Sequence, residues 1–392
     1  MSSEYMATEK LYDKDAYATS FEAEVLQVEK DKKGLYLILD KTLFFPEEGG
    51  QNSDKGILTI EGKEYEVKYV GLEKRDGVEV ICHYVDGDET SLLVGNMAQG
   101  KLEWTDRYDK MQNHTGEHIL SGIIHSEFGF DNVGFHLNDE IFTMDFNGTI
   151  TKEQLEFLEE KANLVVMENV PVLGEYLPDE ELKELDYRSK IEIEGAVRIV
   201  TIEGYDKCAC CAPHVKFTGE VGVVKIIKAE NWKGGMRLTV LCGNRAYKDY
   251  AKKHEILQNL SRSFSTSEDK VSDVVEGLKA SVAELEFKLA NLECQMATEK
   301  LLQNSTQFFD SLSPKALTKA MDDAMKQEPS KLFVAFVGND ENGYRYMAGS
   351  LEQNVEEVGK MLREKLGAKG GGRGTMVQGM VSAMRSEIEE ML

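Results

Sequence analysis

Two short motifs constrain this chain more than anything else in it. MQNHTGEHIL carries His114 and His118, and CACCAPHV carries Cys210 and His214 almost a hundred residues later. Histidines four apart on a helix point the same way. The first pair therefore calls for a helix, and the second pair, also four apart, supplies the other two corners of a tetrahedron. Zinc takes four nitrogen and sulfur ligands in that geometry. Only seven histidines occur in the chain and three of them fall in these motifs, so the pairing is a strong metal signal where either half alone is weak. Four protein ligands read as a closed, structural site, whereas a catalytic zinc keeps a position for water or substrate. One of the four is then a loose ligand or none, or the ion expands its coordination; His214, stiffened by Pro213, is the first suspect.

At 392 residues the chain has room for roughly two to four domains. No stretch approaches the roughly 20 apolar residues of a membrane span, and MSSEYMATEKLYDK lacks the apolar core of a signal peptide. A cytosolic location is expected. Three of the six cysteines are Cys208, Cys210 and Cys211, which suits a metal site better than a disulfide framework. The net charge of −24 argues against gripping nucleic acid by general electrostatics, because phosphate contacts come from Lys and Arg. The charge is uneven, however. Residues 151–195 hold 13 Asp and Glu against 5 Lys and Arg, whereas 205–255 hold 10 Lys and Arg against 5 Asp and Glu. A local basic surface beside the second metal pair admits a phosphate backbone.

Residues 19–95 alternate apolar and polar positions in short runs such as AEVLQVEK, GLYLILD and EYEVKYV, the pattern of an antiparallel β unit that is expected to close as a barrel. Over 103–130 the period changes: Met111, Ile119, Ile123 and Ile124 fall at helical spacing, so His114 and His118 ride a helix with an apolar back. FTMDF, a helix over 152–168, and strands through VRIVTIEG, EVGVVKIIKAE and GMRLTVLCG then define an α+β domain. Val271, Val275, Leu278, Val282, Leu285, Leu289, Leu292 and Met296 recur at steps of four and three, the seam of a coiled coil. Its partner is a second copy of the chain, through 268–300, or the helix over 245–262. Beyond Pro314 a small α/β domain is expected, with strands KLFVAFVG and YRYMAGSL and a glycine loop KGGGRG at 369–374. That loop leads into a final helix and can cradle phosphate or simply turn. The boundaries expected are 1–98 for the β-barrel-like domain, 99–255 for the zinc-binding α+β domain, 256–304 for the helical coiled-coil segment and 305–392 for the last domain.

HTGEH, CCAPH, TLFFPEEGGQNSD at 42–54 and GGMRL at 234–238 together resemble the editing region of alanyl-tRNA synthetases. The pattern is most similar to free-standing alanyl-tRNA editing proteins in their long form, with a C-terminal domain of the DHHA1 type. No segment reads as a class II adenylating core, so the resemblance implies hydrolysis without aminoacylation. It implies removal of serine, and in some members glycine, from tRNA specific for alanine. It also implies one zinc ion on His114, His118, Cys210 and His214, Thr42 near the amino-acid pocket, and Gly49, Gly50 and Gln51 in a loop lining the site. Phe45 stands where many members have tyrosine, and CCAPH where the synthetases more often have CGGTH.

The chemistry is consistent with that reading. An aminoacyl ester is already activated, so the protein has mainly to position a water and stabilise an oxyanion. A polar pocket discriminates serine from alanine by leaving its own groups unpaired with the wrong substrate, and Thr42 is the expected partner of the serine hydroxyl. Glu117 is a candidate general base, or else a residue that caps the helix. His125 and His136, outside any paired spacing, read as ordinary. Two rivals remain: a metallopeptidase, since His-x-x-Glu-His matches one zinc-protease pattern, and a non-catalytic zinc module that binds tRNA.

Overall fold

The computed structural model describes residues 5–87, 92–189 and 196–392, and the chain is α+β. Contacts divide it into two units, Met1–Ile256 and Leu257–Leu392. In the first unit the alternating segments form a closed six-stranded barrel, in the order Ser20–Lys30, Leu35–Leu39, Val78–Val85, Lys63–Arg75, Gly56–Ile60 and Met97–Leu102. Every neighbouring pair is antiparallel. Closure leaves no free edge. The inward residues, among them Val25, Leu37, Leu58, Tyr65, Val67 and Ile81, make one core.

The helix Trp104–Phe128 follows the last barrel strand and ends at Gly129, which takes the left-handed conformation suited to glycine. It packs with the helix Lys152–Glu168 against a four-stranded sheet ordered Val224–Trp232, Gly235–Cys242, Phe142–Phe146, Asn132–Leu137. Thr151 and Gln154 cap the second helix reciprocally. A three-stranded sheet, Val172–Tyr176, Arg198–Ile202 and Asp206–Ala209, carries the Cys210 loop at its end. The expected helix and strands are all present. Asn132–Leu137, Val172–Tyr176 and Asp206–Ala209 were not expected; they are only six, five and four residues long.

The second unit contains the helix Val271–Gln303 and a five-stranded sheet ordered Thr306–Phe309, Phe333–Asn339, Gly343–Gly349, Met376–Val381, Lys369–Arg373. Alternation along Phe333–Asn339 sends Phe333 and Ala335 to one core and Val334 and Phe336 to another, so each face of the sheet is covered. Leu278, Val282, Leu285, Leu289, Leu292 and Met296 of the heptad seam are exposed. KGGGRG departs from its expectation. Rather than a loop running into a helix, Lys369–Arg373 is an exposed edge strand paired with Met376–Val381, and the last helix is the short Arg385–Met391. Among the described residues no helix is long and apolar enough to cross a membrane.

Candidate metal centre and adjoining cavity

The first turns of the helix Trp104–Phe128 are pinned to the loop after Lys41–Thr42, a short strand that pairs with Glu9–Lys10 outside the barrel. Arg107, fully buried, donates Nε to Asp54 at 2.9 Å, and Lys110 donates to the Ser53 carbonyl at 2.7 Å. Breaking a buried pair of this kind by removing one partner typically costs about 3–5 kcal/mol. The same anchoring brings Gln51 onto the helix, where its side-chain oxygen accepts from His114 Nδ1 at 2.7 Å.

Each histidine of the quartet is held through Nδ1, which leaves Nε2 for the centre. His118 Nδ1 donates to Asp206 at 2.8 Å, and Arg188 grips the same carboxylate through two nitrogens at 2.7 and 2.9 Å. His214 Nδ1 lies 3.0 Å from Thr115 Oγ1. Gly122 makes the Asp206 contact possible: a Cβ there would stand 2.3 Å from the Tyr205 carbonyl, so only glycine lets that backbone approach the helix.

The ligand atoms of His114, His118, Cys210 and His214 all lie within 4.8 Å of one another. Cys210 Sγ is 3.6 Å from His114 Nε2 and 3.4 Å from His214 Nε2. Zinc bonds of about 2.3 Å to sulfur and 2.05 Å to nitrogen, at the tetrahedral angle, set those atoms about 3.6 Å apart. The donor set and spacing therefore fit a tetrahedral ion, and His214 is as close as His114. The charges agree. Burial disfavours the Cys210 thiolate, but His114 and His214 beside it outweigh that and lower its pKa well below the ordinary thiol value. Burial opposes charge on His118 too, yet hydrogen bonds to Asp206 and Cys210 raise it to about 9.

A cavity of about 450 Å³ opens on this centre, bounded by His114, His118, Cys210 and Cys211 on one side and by Glu48, Gly49, Gly50, Phe135 and Arg198 on others. Gly50 has φ +84°, and a Cβ on it would meet the Phe135 carbonyl at 2.3 Å. Gly49 and Gly50 line the cavity, whereas Gln51 is absent from its wall and is the partner of His114.

Two expected residues stand elsewhere. Thr42 is fully buried beside the barrel core, and its hydroxyl is already engaged with His83 and the Phe44 amide. His83 Nδ1 donates to the Leu37 carbonyl, so Nε2 is the acceptor and Thr42 the donor to it at 2.8 Å. That leaves no free proton on Thr42 for a ligand, and Thr42 is absent from the cavity wall. Glu117 is also fully buried; its Oε1 accepts from Ser121 at 2.7 Å and Asn132 at 2.6 Å, and its Oε2 is 3.7 Å from His118 Nε2. It sits enclosed beside His118 and is not among the residues lining the cavity. His125 and His136 are exposed and away from the quartet. Asp206, Arg188 and Thr115 were missed. A carboxylate four residues before Cys210 was the available signal for Asp206; Arg188 carries none.

Two family models match the chain: the threonyl and alanyl tRNA synthetase second additional domain over residues 197–238, and tRNA synthetases class II (A) over 4–106. The first covers CCAPH and GGMRL. The residues covered by the second include the whole closed barrel.

Among relatives, the alanine–tRNA ligase of Pyrococcus furiosus is 29% identical over 95% of this chain and 42% of its own length. That of Korarchaeum cryptofilum is 29% identical over 96% of this chain and 44% of its own. The alanyl-tRNA editing protein AlaX-L of Pyrococcus horikoshii is 27% identical over 97% of this chain and 96% of its own length. The chain thus spans less than half of the ligases it matches, and it is similar from end to end to a stand-alone alanyl-tRNA editing protein.

Proposed function

We propose that this protein is an aminoacyl-tRNA deacylase that hydrolyses the ester of tRNA(Ala) mischarged with serine or glycine, without aminoacylation activity of its own. The observation that carries the reading is the quartet at tetrahedral spacing opening onto a cavity walled by the Gly49–Gly50 loop. The likeness to an editing protein along 97% of the chain supports the substrate. A cavity of about 450 Å³ is of the size that encloses a small ligand, here the aminoacyl end of the tRNA.

His114, His118, Cys210 and His214 hold one zinc ion, which supplies Lewis acidity or a template for the ester. Gln51, Asp206 and Thr115 fix the three imidazoles, so the ligands need not reorganise when substrate arrives. Gly49 and Gly50 bring main chain, not side chains, against the acyl group. Burial raises the pKa of Glu48 on the same wall.

The chain acts as a homodimer in the cytoplasm. Its exposed leucines on Val271–Gln303 pair with those of a second copy, and residues 305–392 form a DHHA1-like domain. The functional divisions run 1–98, 99–255, 256–304 and 305–392.

A peptidase is disfavoured because Glu117, which that chemistry needs as base, is enclosed by Ser121 and Asn132. Incubation with Ser-tRNA(Ala) and, separately, with a peptide substrate tests the reading. Serine release from the tRNA alone is expected; peptide cleavage, or binding of the tRNA without release, would replace it with one of the rivals.

A further inference from the structure

The helix Gly243–Ser263 leaves the sheet beside the metal helix. Its inner side is fixed there: Arg245 donates to Asp109 at 2.6 Å, Ala246 is buried, and the Cys242 amide just before it donates to Asn113 at 2.9 Å. Asn113 immediately precedes the ligand His114. The outer side carries Tyr247, Tyr250 and His254, spaced three and four apart and so on one face. Tyr247 is 69% and Tyr250 67% exposed, and the rings of Tyr250 and His254 are parallel to within 4°.

Lys248 and Lys252, one turn apart and also exposed, flank the rings, and neither forms an ion pair among the described residues. Residues 243–256 hold four Lys and Arg against two Asp and Glu, within a chain of net charge −24. Rings interleaved with exposed ammonium groups, Lys248 also lying in the field of Asp109, are what a nucleic-acid strand uses, bases stacking on the rings and phosphates meeting the cations.

We propose that the outer face of this helix, Tyr247, Lys248, Tyr250, Lys252 and His254, is an RNA-binding surface that holds the tRNA near its acylated end. The choice of tRNA rests on the proposed deacylase function; RNA as the class of partner rests on the rings and the charge. The helix that carries this face is anchored to Asp109 and, through Cys242, to Asn113, the residue before His114. The strongly acidic remainder of the chain repels RNA and leaves a local surface of this kind to receive it.

The test uses the full chain with uncharged tRNA(Ala) as probe, titrated by fluorescence anisotropy over a range of salt. Tyr247→Ala with Tyr250→Ala is expected to raise Kd at least about tenfold. Tyr247→Phe with Tyr250→Phe keeps the rings and should retain affinity. Lys248→Glu with Lys252→Glu should raise Kd and reduce the slope of log K against log salt by about 1.4–1.8, two phosphate contacts' worth. Zinc content and hydrolysis of a seryl ester of adenosine, too small to reach the helix, should stay unchanged.

Unchanged Kd in both the alanine and the glutamate variants would overturn the proposal. So would a change in oligomeric mass with RNA affinity intact, which would assign the face to a second copy. Failure of the deacylase reading is distinguishable: the wild type would bind tRNA, and the variants would weaken it, with no ester hydrolysed.

Discussion

Asp206 is the residue whose replacement separates ligand positioning from folding. Asp206→Asn keeps an oxygen that can accept from His118 Nδ1, now at 2.8 Å, but removes the charge. A hydrogen bond to a charged group contributes about 1.5–3 kcal/mol against about 0.5–1.5 for a neutral one. The difference, about 1–1.5 kcal/mol, corresponds to roughly a tenfold loss of zinc affinity. Partners behind metal ligands typically account for about 10–100-fold in affinity, so tenfold is the expected loss for Asp206→Asn, and Asp206→Ala should approach the hundredfold end.

Arg188 loses one of its two contacts with residue 206 in the asparagine variant and both in the alanine variant, but its side chain is 13% exposed and water can replace the lost acceptors. The fold should therefore survive. Competition against a chromophoric chelator reads the affinity, and thermal unfolding with and without zinc separates it from stability. Wild-type zinc affinity in Asp206→Ala, with the metal-free and metal-loaded forms destabilised equally, would show that the carboxylate serves only the fold.

Four further outcomes are expected. Thr42→Val leaves the His83 Nε2 and the Phe44 amide without their partner, so it should destabilise the barrel by about 1–3 kcal/mol while leaving the ratio of serine to glycine release unchanged; a loss confined to serine would return Thr42 to the pocket. His83 is buried neutral, its pKa lowered from 6.5 to about 4. The unfolded chain therefore takes up the proton first, and stability present above about pH 6.5 should fall toward pH 4 by up to about 1.4 kcal/mol per unit. Denaturant titrations of wild type and His83→Gln should differ in that slope, and parallel slopes would refute it. Gly50→Ala, strained at φ +84° and pressed on the Phe135 carbonyl, should impair ester hydrolysis with zinc retained; full activity would show that the loop is not a close wall. Leu285→Glu with Leu289→Glu should convert a dimer to monomer by light scattering, and a wild type already monomeric at micromolar concentration would remove the coiled-coil reading.

The metal quartet was legible because histidine and cysteine are scarce and both pairs repeat at a spacing of four. Helical periodicity around Met111 and Ile119 further placed one pair on its element. Partners behind the ligands were less visible. Asp206 meets His118 only because a four-residue strand crosses the helix at Gly122, a long-range packing event with no periodic trace. Thr42 was assigned by resemblance, and nothing in its neighbours forecast that His83, forty-one residues on, would take its hydroxyl. KGGGRG read as a turn because glycine runs usually are turns. As an edge strand its ladder uses main chain, with Gly370 opposite Gly379 and Gly371 opposite Gln378, and such pairing needs no β-branched side chains to announce it.

The most direct measurement follows serine release from Ser-tRNA(Ala) by the wild type, by chelator-stripped protein, by the stripped protein given one equivalent of zinc, and by His118→Ala with Cys210→Ala. About one zinc per wild-type chain is expected, with release lost on stripping, restored by zinc, and absent in the double variant together with the metal. Undiminished release from the stripped protein, or a double variant that keeps its zinc, would contradict a metal centre built from these four residues.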